Sequence, residues 1–305
     1  MDKPISGILL ADKPEGISSQ LLVSKVKRIL HVRSAGHTGT LDPIATGLNL
    51  ICYGRATRVS EYLLGCDKEY IAELQIGRET DTGDVTGQTL TESDRRITAS
   101  ELRGILPRFT GDLQQIPPLY SAIKLDGKKL YDLARKGKAD VAERALTPRP
   151  VRIYEIELLA ADEAEQRFTL RVFCSKGTYI RSLCRDMARA LNTCGTMSAL
   201  RRTRVGRFSV EDALTPNEMA ERAAKEDFSF IFPVEAVFGD LPAVTLDAYG
   251  EERLRHGADV TDDHASAKTA GRCRLMAESG EFLAVGTVEN GFVLAEKRFF
   301  EVDDQ

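Results

Sequence analysis

The chain contains no Cys-x-x-Cys pair, and its four histidines are not placed to complete a metal site. Its cysteines, Cys52, Cys66, Cys174, Cys184, Cys194 and Cys273, therefore read as reduced, mostly buried thiols, and no zinc is expected. No apolar run exceeds a handful of residues, so none of them spans a bilayer. The first residues lack a basic region followed by an apolar stretch and a cleavage site, which makes a cytoplasmic protein the default expectation. A surplus of positive charge is missing too. The formal net charge is -4, which does not advertise a polyanionic partner, although a net figure hides local surfaces. From Tyr120 to Tyr154 there are nine Lys/Arg against four Asp/Glu, a balance that fits phosphate contacts and equally fits a solvated charged face.

What is present is ordinary globular composition: 305 residues, 42% hydrophobic and 29% charged, a length that predicts about two domains. Gly7 to Ala11 is a short apolar strand closed by the turn Asp12-Lys13-Pro14-Glu15-Gly16. Ser18 or Ser19 then caps a helix with Leu22, Val26, Ile29 and Leu30 at helical spacing. Tyr70 to Ile76 alternates, placing Tyr70, Ala72, Leu74 and Ile76 on one face. Arg78 to Gly87 is polar and glycine-bearing, hence a loop; its carboxylates lack the order of a calcium-binding loop. A helix follows Thr98. The segments Val151 to Leu159 and Arg167 to Phe173 are strand-like, and Ile180, Leu183, Cys184, Met187, Ala188 and Leu191 form the apolar stripe of a helix starting near Tyr179. After it, LRRTRVGRF is a basic strand-like segment. A helix and then a linker around Phe232-Pro233 and Phe238-Gly239 precede a tail of glycine-separated strands that fits a small β-barrel-like domain. The boundary is placed between residues 1–238 and 239–305.

The stretch Gly36-His37-Thr38-Gly39-Thr40-Leu41-Asp42-Pro43 concentrates the candidate chemistry. Pro43 fixes its own φ and pushes Asp42 away from helical geometry, so the carboxylate sits on a rigid turn. Taken alone, Asp42 is as readily a turn-former or a helix cap. Ala45 to Gly54 behind it is a buried strand or short helix. Arg181 falls in the first turn of its helix, where the dipole favours an anion, so the residues alone read it equally as a cation with a nearby carboxylate or as a solvent-exposed arginine. Lys13, on its own, reads as a solvent-exposed turn lysine in preference to one that helps hold the opening stretch.

In order, ADKPEGISS, GHTGTLDPIATG, GRATR, KEY, RETDTGDVTG, IPPLYSAIKLDGKKLYDLAR, CSKGTYIRSL and ALRRTRVGRF resemble the TruB family of tRNA pseudouridine-55 synthases, from about Gly7 to Arg298. The tail, with RLRHG and FLAVGTV, looks like a PUA RNA-binding domain. The resemblance implies an α+β fold, with a mixed-sheet catalytic domain flanked by helices. It also implies an enzyme that detaches uracil from ribose and reattaches it through carbon 5, acting on the T-arm of tRNA without metal or cofactor, as a monomer. It implies Asp42 as the essential aspartate and Arg181 as its partner, an arginine that typically lowers a carboxylate pKa by about 1 to 3 units. Tyr70 matches the tyrosine that stacks on the uracil and takes part in removing the carbon 5 proton. His37 matches the histidine that fills the gap left by the extruded uridine. Lys13 and Leu200 border the pocket, and the basic segments become phosphate contacts.

Two departures from the family pattern touch none of these groups: Asn49 interrupts a run that is commonly apolar, and Lys138 to Arg144 is longer than the usual link. Two other readings stand beside the main one: an RNA-guided rRNA synthase of related type, and an RNA-binding or RNA-folding protein whose catalysis is secondary.

Overall fold

The computed structural model describes residues 3–121, 146–258, 260–266 and 271–299, with the backbone of 124–125 and 128–129. The alternating segment at Tyr70 forms the strand Lys68–Ile76, with Tyr70, Ala72, Leu74 and Ile76 buried on one face. The apolar stripe after Tyr179 forms the helix Ile180–Ala190, whose Ile180, Leu183, Cys184 and Met187 pack against that face. Each such side chain removed from water contributes roughly 1.5–3 kcal/mol, and this interlock is the main core beside the larger sheet.

The strand lies inside a ten-stranded sheet. Its main path runs Ile231–Phe232, Gly7–Lys13, Thr46–Tyr53, Gly195–Val205, Lys68–Ile76, Arg167–Cys174, Arg149–Asp162 and Gly111–Gln115, with Ala35–His37 and Phe208–Ser209 attached at the sides. The segment behind Asp42, open as strand or helix from sequence, is thus a strand. All pairings in this sheet are antiparallel except one: Thr46–Tyr53 meets Gly195–Val205 in parallel, Arg201 opposite Thr46 and Arg202 opposite Gly47.

That parallel join requires a glycine. Gly47 has φ +96°, and a Cβ there would stand 2.3 Å from the Arg202 carbonyl oxygen. Gly47→Ala is therefore expected to destabilise the fold by about 2–4 kcal/mol, combining left-handed strain with overpacking. A denaturant midpoint unchanged from the wild type would show that the strands separate freely here.

At the N-terminal helix, Ser19–Ile29, Ser18 is the cap, its hydroxyl accepting from the Leu21 N–H. Thr98 and Glu101 form a capping box at the helix Ala99–Ile105. The polar stretch from Arg78 is more ordered than a loop: Arg78–Thr80 pairs with Thr89–Glu92 and leaves only the turn between them irregular. Most of the basic segment from Tyr120 to Tyr154, including Lys138 to Arg144, lies outside the described residues. No helix among the described residues is long and apolar enough to cross a membrane, and all six cysteines are free, with only Cys66 partly exposed.

The C-terminal strands Ala243–Leu246, Gly271–Ala277, Phe282–Glu289, Phe292–Arg298 and Val260–Thr261 form a second, five-stranded sheet in that order. Its edges approach one another, because Leu246 forms a bridge with Ala265 just after the last of these strands, giving the expected barrel-like curl. An aromatic cluster joins the two sheets: Phe238 stacks near Phe282 and Phe299, and Tyr62 meets it edge-on at 5.0 Å.

Candidate active site

Asp42 opens a turn in which its carbonyl accepts from the Ala45 N–H at 3.0 Å, with Pro43 at the second position as its fixed φ favours. The turn is held from behind. The Pro43 carbonyl accepts from the Gly16 N–H at 2.8 Å and from Lys13 Nζ at 3.3 Å. Lys13 also donates to the carbonyls of Pro14 and Ile17, at 2.9 and 2.8 Å. It is fully buried, which corrects its reading as a solvent-exposed turn lysine. Three carbonyls aimed at one ammonium outweigh the tendency of lysine to stay in water, so Lys13 acts as a buttress behind the loop rather than as a wall of open space. Burial pulls its pKa down to about 8, and the Asp42 charge opposes that fall.

Leu41 is pinned on the other side. Its N–H donates to Ser19 Oγ at 2.8 Å, and its carbonyl accepts from that hydroxyl at 3.2 Å. Asn49 completes the hub by donating to Ser19 Oγ at 2.9 Å. The polar interruption in an apolar run is thus a buried anchor for the residue before Asp42.

Arg181 reaches Asp42 from the start of its helix, Nε lying 3.0 Å from Oδ2 and Nη2 3.4 Å from Oδ1. The cation at a helix start has the carboxylate it asks for. The same guanidinium donates to the carbonyls of Thr82 at 2.7 Å and Tyr120 at 2.9 Å. Thr82 is held by Asp84, whose Oδ1 accepts from the Thr82 hydroxyl at 2.9 Å and from the Thr86 N–H at 3.0 Å. The acidic turn therefore satisfies its own carboxylate with hydroxyl and amide groups. Among the described residues, no group of three or more His, Cys, Asp or Glu is arranged for a metal.

The electrostatic expectation for Asp42 needs correction. Burial pushes its pKa above the ordinary 3.8, Arg181 opposes the rise, and Asp84 adds to it as a like charge. The arginine lowers the pKa as expected, but desolvation is the larger effect.

Tyr70 shares one apolar cluster with Leu41, Ala45, Ile180 and Leu200. It is 8% exposed, so its core-face reading holds while it also borders the Asp42 region. Burial raises its pKa, and the neighbouring Arg202 works against that rise. His37 ends the short strand Ala35–His37, half-buried, with its Nδ1 accepting from the Gly39 N–H at 3.4 Å. The structure thus brings Asp42, Arg181, Tyr70 and Leu200 to one region and places Lys13 behind it. A cavity of about 600 Å³, lined by Glu73, Gln75, Arg167 and Ser198 among others, shares no residue with this site.

The basic strand differs from its sequence reading as a row of phosphate contacts. Arg202 is 2% exposed, and Arg201 forms an ion pair with Asp12 at 2.7 Å. Strand alternation carried the missed signal, because Leu200 and Arg202 must face the same way. Ser19 and the carbonyls of Thr82 and Tyr120 were also missed; nothing in their residue types marks them.

This fold has counterparts among solved structures. A crystal structure of a Cbf5-Nop10-Gar1 complex aligns with a TM-score of 0.73 at 28% identity, covering 96% of this chain and 85% of its own. A structure of an H/ACA RNP bound to a substrate RNA containing 2'-deoxyuridine aligns with a TM-score of 0.72 at 26% identity, covering 97% and 86%. The fold is that of a pseudouridine synthase, an isomerase. A model of the N-terminal domain of TruB family pseudouridylate synthases matches residues 27–180, and one of the tRNA pseudouridylate synthase B C-terminal domain matches 181–238. The tRNA pseudouridine synthase B of Aromatoleum aromaticum is 40% identical over 294 residues, covering 96% of this chain and 92% of its own length. That of Dechloromonas aromatica is 40% identical over 302 residues, covering 99% and 98%. The chain belongs to the TruB family of pseudouridylate synthases.

Proposed function

We propose that this protein converts uridine to pseudouridine at position 55 in the T-arm loop of tRNA, acting on an extruded nucleotide. The observation that carries the reading is the ion pair between Asp42 and Arg181 on a turn braced from both sides. In the reaction the bond from the ribose to uracil N1 breaks and a bond from the ribose to carbon 5 forms. The proton on carbon 5 leaves and N1 takes one up, so the atoms balance without a co-reactant. Asp42 serves as the nucleophile or the charged partner of the reacting nucleotide, oriented by Arg181. Tyr70 stacks on the uracil and stands where the carbon 5 proton departs. His37 occupies the space left in the RNA stack, which offsets part of an extrusion cost on the order of a few kcal/mol. Leu200 lines the pocket, and Lys13 contributes through the loop it supports.

The same proposal assigns residues 1–238 to the catalytic domain and 239–305 to a PUA-like RNA-binding domain. The family models end at Phe238, and the curled C-terminal sheet fits this division. The protein is proposed to act in the cytoplasm as a single chain without an obligate protein or RNA partner. Relatives 40% identical over nearly the whole chain carry the name tRNA pseudouridine synthase B, which favours tRNA over the RNA-guided reading attached to structures at 26–28% identity. The test is tritium release from carbon-5-labelled uridine in an unmodified T-arm stem-loop. Release with protein and this RNA alone is the expected result; release only when a guide RNA is added would establish the guided reading instead.

A further inference from the structure

Arg202 is the largest fully buried side chain in the described structure. A guanidinium withdrawn from water normally comes with a carboxylate, since an unmatched buried charge costs several kcal/mol. Among the described residues, no carboxylate forms an ion pair with Arg202. Its partners are polar groups of the site instead. Nε donates to the Leu48 carbonyl at 2.6 Å, and Nη2 donates to the Gly39 carbonyl at 3.2 Å, within the stretch that carries His37 and Asp42. The Tyr70 side chain stands beside the same guanidinium, whose charge favours the phenolate form of its hydroxyl. Strand pairing explains that contact: Arg202 lies directly opposite Tyr70 across adjacent strands, on the inward face.

One planar fork therefore holds the catalytic stretch through the Gly39 carbonyl and lies against the tyrosine across the strand pair. The geometry points to Arg202 as a positioning residue for the isomerisation, one that sets the direction of the Tyr70 hydroxyl relative to the Asp42 loop. Arginine offers donors and no acceptor, so beside it the tyrosine is favoured with its oxygen toward the guanidinium and its proton directed away. Lysine would retain the charge but not the fork, because a point ammonium cannot hold the Leu48 and Gly39 carbonyls as the planar guanidinium does. The inference rests on the proposed function above, and the two fail in different ways.

The experiment is a double-mutant cycle of Arg202→Lys and Tyr70→Phe, reading tritium release from the labelled T-arm under saturating and subsaturating RNA, with the thermal midpoint of each variant. Arg202→Lys is expected to lower kcat by about 10²-fold with an RNA KM changed less than about twofold. In the Tyr70→Phe background the same substitution is expected to slow turnover little further, because the hydroxyl that it orients is already gone. If the two losses multiply in the double variant, Arg202 supports the fold only and the inference is overturned. Should Arg202→Lys melt below the assay temperature, Arg202→Gln, which keeps a planar donor without the charge, is carried through the same cycle. An inactive wild type on this RNA overturns the proposed function itself.

Discussion

Asp42→Ala is expected to reduce tritium release by at least about 10⁴-fold while leaving the protein folded and bound to RNA. The loop does not depend on the carboxylate for its shape. Its backbone is fixed by Pro43, by Gly16 and Lys13 on one side, and by Ser19 and Asn49 on the other. Removing the side chain thus takes away the reacting group and leaves the turn that carried it. Because Arg181 keeps two carbonyl acceptors, the cation is not stranded when its carboxylate partner is lost. RNA affinity measured by filter binding separates chemistry from binding. Full turnover by a folded Asp42→Ala protein would remove Asp42 from the mechanism.

Arg181→Gln should lower kcat by about 10²- to 10³-fold, the scale of losing an oriented donor at a reacting charge. The more diagnostic effect is on pH. If the carboxylate form of Asp42 is required, kcat/KM falls as pH drops through its pKa in the folded protein, a value that burial has raised above the ordinary 3.8. Arg181 is the largest influence holding it down. Its removal therefore moves the acid limb of the profile further up in pH. The linked effect on stability has the opposite sense. A raised pKa gives a contribution that is full below about 3.8 and is lost as pH rises through the folded value. The ionised Asp42 is accordingly a burden on the fold at neutral pH. An acid limb that stays in place after Arg181→Gln would mean that another group controls the profile.

The sequence made the local features legible. The alternation at Tyr70, the helical stripe after Tyr179 and the helix after Thr98 each state their geometry within a dozen residues, and all appear as read. The candidate residues came from the ordered motifs and not from periodicity. What remained hidden depends on contacts between distant segments. Lys13 reads as a surface lysine until three carbonyls converge on it. The resemblance made the basic strand a set of phosphate contacts, whereas strand pairing with Tyr70 turns Arg202 inward. Asn49 looks like a fault in an apolar run because Ser19 is 30 residues away. The balance at Asp42 was misjudged for a similar reason: the arginine is visible in a motif, but the degree of burial is a property of the finished fold.

The parallel join between Thr46–Tyr53 and Gly195–Val205 has a consequence for how the enzyme comes into being. Asp42 meets Arg181 across 139 positions, and Gly39 meets Arg202 across 163. On the ribosome the first strands emerge long before their partners, and contacts of such separation form late. No nascent chain that stops short of that join holds all of these contacts, so Asp42, Arg181 and Arg202 come together only once about two-thirds of the chain has been made.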